Sequence, residues 1–188
     1  MSRIVAGPFN RVEGDLEITL ETGEDKVQRA EVNSPLYRGF ERILLGHKPM
    51  DALVYTPRIC GICSVTQSVV SARALADAMG LSMPKNGELC TNLVLASENI
   101  TDLITHFYLF FMPDFARDTY AGASWFGDIQ GRFKATAGSA ATQMLPARAD
   151  FLHLMGLMAG KWPHTLSLQP GGVAKAIEPK ERMRLLAI

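Results

Sequence analysis

Cys60 and Cys63, separated by Gly61 and Ile62, stand between Pro57 and a run from 65 to 79 that carries apolar or small residues at nearly every position and no helix breaker. No other stretch constrains the chain as strongly. Pro57 biases the residue before it away from helix, and Gly61 lets the backbone turn tightly between the two thiols. The run from 65 to 79 predicts a helix that begins directly after the second cysteine. Both sulfurs then lie at or just ahead of a helix N-terminus, where exposed N–H groups and the dipole favour thiolate over thiol. A thiolate is what a soft or borderline metal binds. The spacing alone leaves a metal role open beside a redox dithiol, half of a zinc site or two buried cysteines, since one such pair is an incomplete tetrahedral set.

The 188 residues suffice for one sizeable domain. With a formal net charge of +0 and scattered lysines and arginines, the chain carries no nucleic-acid footprint and no surface for an anionic membrane. The third cysteine, Cys90, makes an odd count, which fits a reducing compartment better than a disulfide framework. The first eight residues contain no long apolar stretch, so no signal peptide is expected. The apolar-rich run from 89 to 111 holds Glu98, Asp102 and His106, which argues against a membrane span. The expectation is a soluble, cytoplasmic chain. Its last residues read as the first turns of a helix with Pro179 near the start and no C-cap signal, as though the chain were cut there.

Period-two alternation at 16–20 and 27–32, with turn chemistry at Thr22, Gly23, Glu24 and Asp25, predicts a β-hairpin with one face buried. Glu13, just ahead of Gly14, reads by itself as a solvated loop carboxylate. A short helical turn follows at 37–46, where Glu41 reads as a surface ion-pair partner. Another follows Pro49. The helix after Cys63 is rich in alanine and serine, which allows neighbouring helices to approach closely. A second long helix is expected from 86 or 87 to about 112, with Pro113 just beyond. Within it Glu98, Asp102 and His106 recur every four residues and share one face, as either a solvated stripe or a polar line entering a site. Glycines and serines between 118 and 141 predict a connecting region with one short helix at most. A helix over 141–158, broken near its start by Pro146, precedes a loop through 161–173 and the final helix. No Gly-rich phosphate loop, nucleophile elbow or zinc-protease helix is present. The expected fold is α+β and mostly helical: an N-terminal β-hairpin packed beside a bundle of long helices, with the cysteine pair at the N-terminal end of a buried helix. Residues 1–188 form a single portion, with hairpin and short helices over 1–57, the cysteine loop and two long helices over 58–112, and a loop-rich region with further helices over 113–188.

Taken together, several blocks resemble one family. Arg11, Val12, Glu13 and Gly14 stand ahead of the hairpin, Arg38, Gly39, Phe40 and Glu41 follow it, and Arg58 to Cys63 come next. Further on stand Thr101, Asp102, Leu103, Ile104, Thr105, His106, Phe107 and Tyr108. Gly160, Lys161, Trp162, Pro163 and His164 follow, then Pro170, Gly171, Gly172 and Val173. In this order they resemble the N-terminal part of the large subunit of nickel–iron hydrogenases. The resemblance implies that Cys60 is a terminal nickel ligand and Cys63 a thiolate bridging nickel and iron. Glu13 would relay protons, Glu41 would bind a structural magnesium ion (Mg2+), and Asp102 and Arg58 would lie in the outer shell of the site. The cofactor implied is a Ni–Fe centre whose iron carries carbonyl and cyanide, with iron–sulfur clusters in a small partner subunit and H2 as substrate. Such a site is chemically coherent: soft sulfur suits nickel and low-valent iron, and a hard carboxylate suits magnesium.

Two departures stand out. The resemblance places a histidine four residues after the second cysteine, and here that residue is Gln67, neutral at every pH but still able to donate a hydrogen bond towards the sulfur. Glutamine there resembles the regulatory, hydrogen-sensing branch, which acts through a sensor histidine kinase. Asp15 is compatible with that branch. The second cysteine pair of the family, in the remaining C-terminal half of a longer chain, is absent from these residues. The expectation is therefore an N-terminal portion that is inactive alone, with apolar faces meant for the rest of the large subunit and for the small subunit. An uptake or bidirectional hydrogenase, a metal-free structural relative, and an unrelated zinc or redox dithiol protein are the competing readings.

Overall fold

The computed structural model describes residues 2–9 and 14–188, so Glu13 lies outside the described residues. The chain divides into two compact units, Met1–Gly39 and Phe40–Ile188.

In the first unit, strands β1 (Ser2–Phe9), β2 (Leu16–Gly23) and β3 (Lys26–Asn33) pair antiparallel in the order β1-β2-β3. Glu24 and Asp25 adopt φ values of 53° and 57°, the left-handed pair that a tight two-residue hairpin turn requires. The hairpin is as the alternation predicts, and β1 is an addition to it. Gly7 and Pro8 interrupt the pattern of β1, and its register with β2 shifts between Ala6 and Phe9. Gly7 is required there: at φ 129° an added Cβ would lie 2.6 Å from the Leu16 carbonyl oxygen. Cross-strand partners put Ile4, Leu20 and Ala30 in one row and Ala6, Ile18 and Val32 in the next, all on one face. The expected burial of that face does not occur within the unit. Val32 is 70% and Ile4 48% exposed, because no layer of the unit covers them.

The second unit is helical: α1 (Phe40–Ile43), α2 (Ala52–Tyr55), α3 (Ser64–Ala78), α4 (Lys85–Thr105), α5 (Met112–Phe115), α6 (Phe126–Phe133), α7 (Ala140–Ala159) and α8 (Pro179–Leu186). Helical turns also span Pro49–Asp51, Thr56–Arg58 and Asp118–Tyr120. The core gathers Val65 and Val69 of α3, Val94 of α4, and Met155, Met158 and Ala159 of α7 around Leu168. Otherwise the packing between α3 and α4 is made of small and hydroxyl residues. Ser64, Ser68, Ser71, Ala72, Thr91, Ser97 and Thr101 are all buried. Their hydroxyls are tolerated because most fold back on the carbonyl one turn earlier: Ser68 to Ser64 (2.8 Å), Ser97 to Leu93 (2.9 Å) and Thr101 to Ser97 (2.7 Å). Small side chains allow the close approach expected of the alanine- and serine-rich helix.

Three expectations change in detail. The second long helix does not stop before Pro113. It passes through a π-helical segment, His106–Phe111, into α5, where Pro113 occupies an early position that needs no donor. Helix α7 is continuous through Pro146 rather than broken by it. The loop at 161–173 contains a small antiparallel pair, β4 (Leu168–Gln169) and β5 (Gly172–Val173). Gly87 of α4 sits against this pair, and a Cβ there would lie 3.3 Å from the Gly172 Cα. The α+β, mostly helical class holds. No helix among the described residues is long and apolar enough to cross a membrane.

Met155 is 0% exposed, whereas Leu103 is 68% exposed. In urea unfolding, Met155→Ala is expected to cost about 3 kcal/mol and Leu103→Ala less than about 0.5 kcal/mol.

Candidate metal centre

The cysteine loop is held between two helical segments. Upstream, α2 runs into the turn Thr56–Arg58, and downstream Cys63 occupies the N-cap position of α3. Cys60 is 6% exposed and Cys63 half-buried. The backbone N–H of Cys63 donates to Cys60 Sγ at 3.3 Å, so the loop wraps around the first sulfur. Gln67 Nε2 donates to Cys63 Sγ at 3.8 Å, one helical turn on, which is the contact expected of it. The two thiols are themselves hydrogen-bonded neighbours.

Cys63 does not carry the favoured thiolate expected at a helix start. Burial first, then the hydrogen bond to Cys60, pushes its thiol up to about 11, against a smaller downward pull from Gln67. The structure gives the reason. The N–H groups opening α3 point at the carboxylate of Glu98 rather than at sulfur, and that carboxylate adds a small upward push.

Glu98 is 3% exposed. Its Oε1 accepts from Val65 N (2.8 Å), Trp162 Nε1 (2.9 Å) and Ser64 Oγ (3.4 Å), and its Oε2 from Thr66 N (2.9 Å) and Thr66 Oγ1 (3.2 Å). A carboxylate at a helix N-terminus is favoured by the dipole and by the unpaired N–H groups together. Trp162 is held in turn by Arg148 of α7, whose guanidinium lies 5.2 Å from the indole ring centre and whose Nε donates to Thr105 Oγ1 at 3.1 Å. On the upstream side of the loop, His164 Nδ1 lies 2.9 Å from the Pro57 carbonyl oxygen, and His164 N donates to Ser64 Oγ at 3.2 Å.

The polar row on α4 therefore splits. Glu98 enters the site, while Asp102 and His106 are exposed. Arg58 is also exposed and its guanidinium donates to the Val54 carbonyl. Glu41 is exposed on α1. Among the described residues no three His, Cys, Asp or Glu side chains converge as a metal-ligand set. Two adjacent soft sulfurs on a rigid loop fit half of such a set. The sequence offered Glu98 only as one of a row and Trp162 and His164 only as part of a resembling block, and Arg148 gave no signal there. The available signal was that Ser64, Val65 and Thr66 begin a helix behind a cysteine, with no Asp or Asn to accept their N–H groups.

The fold thus presents two neighbouring thiols on a loop at the head of α3, in a mostly helical unit. Residues 38–123 match the family described as nickel-dependent hydrogenase. The periplasmic NiFeSe hydrogenase large subunit of Desulfomicrobium baculatum is 30% identical over 190 residues, covering 92% of this chain and 36% of that protein. The uptake hydrogenase large subunit of Bradyrhizobium diazoefficiens is 36% identical over 107 residues, covering 56% of this chain and 18% of that protein. The solved reduced-state structure of the NiFeSe hydrogenase from Desulfovibrio vulgaris Hildenborough superposes with a TM-score of 0.76 at 29% identity, over 99% of this chain and 40% of that one. The chain is thus similar, over nearly its whole length, to the N-terminal part of nickel-dependent hydrogenase large subunits, and it spans only 36% of the length of the first of these relatives.

Because thiolate is the nucleophile, a Cys63 pKa of about 11 lowers its reactivity at ordinary pH. At pH 8 its alkylation by iodoacetamide is expected to be roughly 100-fold slower in the folded, metal-free chain than in urea. The neutral thiol favours the folded state, so this contribution to stability is intact below pH 9 and is lost as pH rises through about 11. Peptide mass spectrometry across that range checks both; equal rates in the folded and unfolded chain would contradict the burial.

Proposed function

We propose that this chain is the N-terminal part of a nickel–iron hydrogenase large subunit, with Cys60 as a terminal nickel ligand and Cys63 bridging nickel and iron. The observation that carries the reading is the adjacency of the two sulfurs on a loop that Gln67, Glu98 and His164 hold in place. The other half of the ligand set would come from residues beyond these, so the chain alone is expected to be inactive. When bound, the Ni–Fe centre, with carbonyl and cyanide on iron, would supply heterolytic cleavage of H2. The chain contributes the groups around it. In this reading a thiolate sulfur of the pair would serve as first base, and Glu13 would take the proton on as a general base. Gln67 Nε2 steadies Cys63 Sγ without titrating. Arg58 and Asp102 line the outer shell once the rest of the subunit covers them, and Glu41 holds Mg2+ through hard oxygen ligation.

The partners in this reading are the remaining C-terminal half of the large subunit and an iron–sulfur small subunit. Exposed apolar residues support it, among them Leu93 and Leu103 of α4 and Ile4 and Val32 of the sheet. We assign the complex to hydrogen sensing, signalling to a sensor histidine kinase, on the resemblance carried by Gln67. The second reading is an uptake hydrogenase, favoured by the similarity to the Bradyrhizobium diazoefficiens subunit. A cytoplasmic setting is supported by three free cysteines, although the Desulfomicrobium baculatum relative is named periplasmic.

Metal analysis of the assembled complex tests the ligand roles. Cys60→Ser and Cys63→Ser are each expected to lower nickel to roughly a tenth or less of the parent, since thiolates dominate soft-metal affinity; full retention rules out these roles. For the sensor assignment, Gln67→His in the complex is expected to raise H2 turnover and oxygen sensitivity together. If neither moves, the sensing role loses its support and the uptake reading stands.

A further inference from the structure

We propose that Glu98 is a positioning residue for the metal-binding loop: its buried carboxylate fixes where the two cysteine sulfurs lie by clamping the first turn of α3 to the Trp162 loop. The proposal rests on the reading of Cys60 and Cys63 as ligands. Val65 and Thr66 follow Cys63 by two and three residues, and both donate their backbone N–H to Glu98, at 2.8 and 2.9 Å. The end of the cysteine loop is thereby tied to α4, a different part of the fold. Trp162 Nε1 reaches the same carboxylate at 2.9 Å, and Arg148 stacked on the indole limits how far that ring moves. The upstream end is tied independently, by His164 Nδ1 on the Pro57 carbonyl at 2.9 Å. Both ends of the stretch from 57 to 66 are thus anchored to residues more than thirty positions away in sequence.

The chemistry requires a carboxylate. Every group facing Glu98 is an N–H or O–H donor, so acceptor oxygen is wanted on both sides. An amide in its place would turn an NH2 group towards either the Val65 and Trp162 donors or the Thr66 donors. One side of the clamp would open, and the cysteine loop would lose its register with α4. A residue serving only the stability of the fold would loosen the whole helical unit instead.

The test is site-resolved alkylation of the full chain, free of metal, with Cys90 of α4 as internal reference. Glu98→Gln is expected to speed labelling of Cys60, now 6% exposed, by about fivefold relative to Cys90, since local opening governs access to a buried thiol. Removing the charge of Glu98 also touches the Cys63 thiol, so a second variant is needed. Trp162→Phe keeps that charge and deletes only the indole donor; it is expected to shift Cys60 in the same direction by about twofold. Urea unfolding must remain cooperative in the variant used, and if Glu98→Gln does not fold, Trp162→Phe decides alone. Unchanged Cys60 labelling in a folded variant, or a parallel rise at Cys60 and Cys90, overturns the proposal. Because labelling needs no metal, this outcome is separate from the nickel analysis that tests the ligand reading.

Discussion

A carboxylate buried at the N-terminus of α3 is the interaction on which the rest of the helical unit depends. Taking Glu98 out of water is costly unless donors replace the lost hydration, and here the Ser64, Val65, Thr66 and Trp162 donors do so. The donors come from the helix that follows the cysteine pair and from a loop a hundred residues beyond it. The carboxylate is therefore both a helix cap and a tie between elements distant in sequence. It also adds a small upward push to the Cys63 thiol, whose burial is the main effect. With the Val65 and Thr66 N–H groups committed to Glu98, only the Gln67 hydrogen bond works against the burial of Cys63, and its thiol stays neutral well above ordinary pH. A cation at the sulfurs would reverse that balance.

The packing of α3 on α4 follows the same logic of close approach. Serines and threonines occupy the interior because most of their hydroxyls return to their own helix, while Ser64 donates to Glu98 and Thr91 to Met83 Sδ, leaving no buried polar side-chain atom without a partner among the described residues. The larger residues of α4 are displaced outward, with Leu89 at 47%, Leu93 at 52% and Leu103 at 68% exposure. In the first unit the apolar face of the sheet is likewise exposed. Large apolar surface left open to water on a helix and on a sheet face is the usual mark of surfaces that pack against further protein.

Much of this was legible in advance. The helix after Cys63, the hairpin turn at Glu24 and Asp25, and the final helix from Pro179 follow from breakers, caps and periodicity, which act over a few residues. Strand β1 was not, because Gly7 and Pro8 break its alternation while a register shift accommodates them. The sequence also does not show how Pro113 and Pro146 are accommodated. Pro113 stands in the first turn of α5, where no donor is needed, and α7 continues through Pro146. In the site, the Gln67 contact to Cys63 was accessible from spacing, since it spans a single turn.

Glu98, Asp102 and His106 mark the boundary most sharply. Their four-residue spacing determined that they share a helix face, and the sequence determined equally that two cysteines would stand at the head of a small-residue helix. Which of the three would be buried was decided only by the tertiary structure. Helix periodicity records direction around an axis but not what lies opposite each turn. The start of α3 and the Trp162 loop lie opposite Glu98, while Asp102 one turn further on stays exposed. The state of the Cys63 thiol was decided in the same way, because it depends on burial and on the side chains that the fold brings beside it, not on closeness in sequence to a helix start.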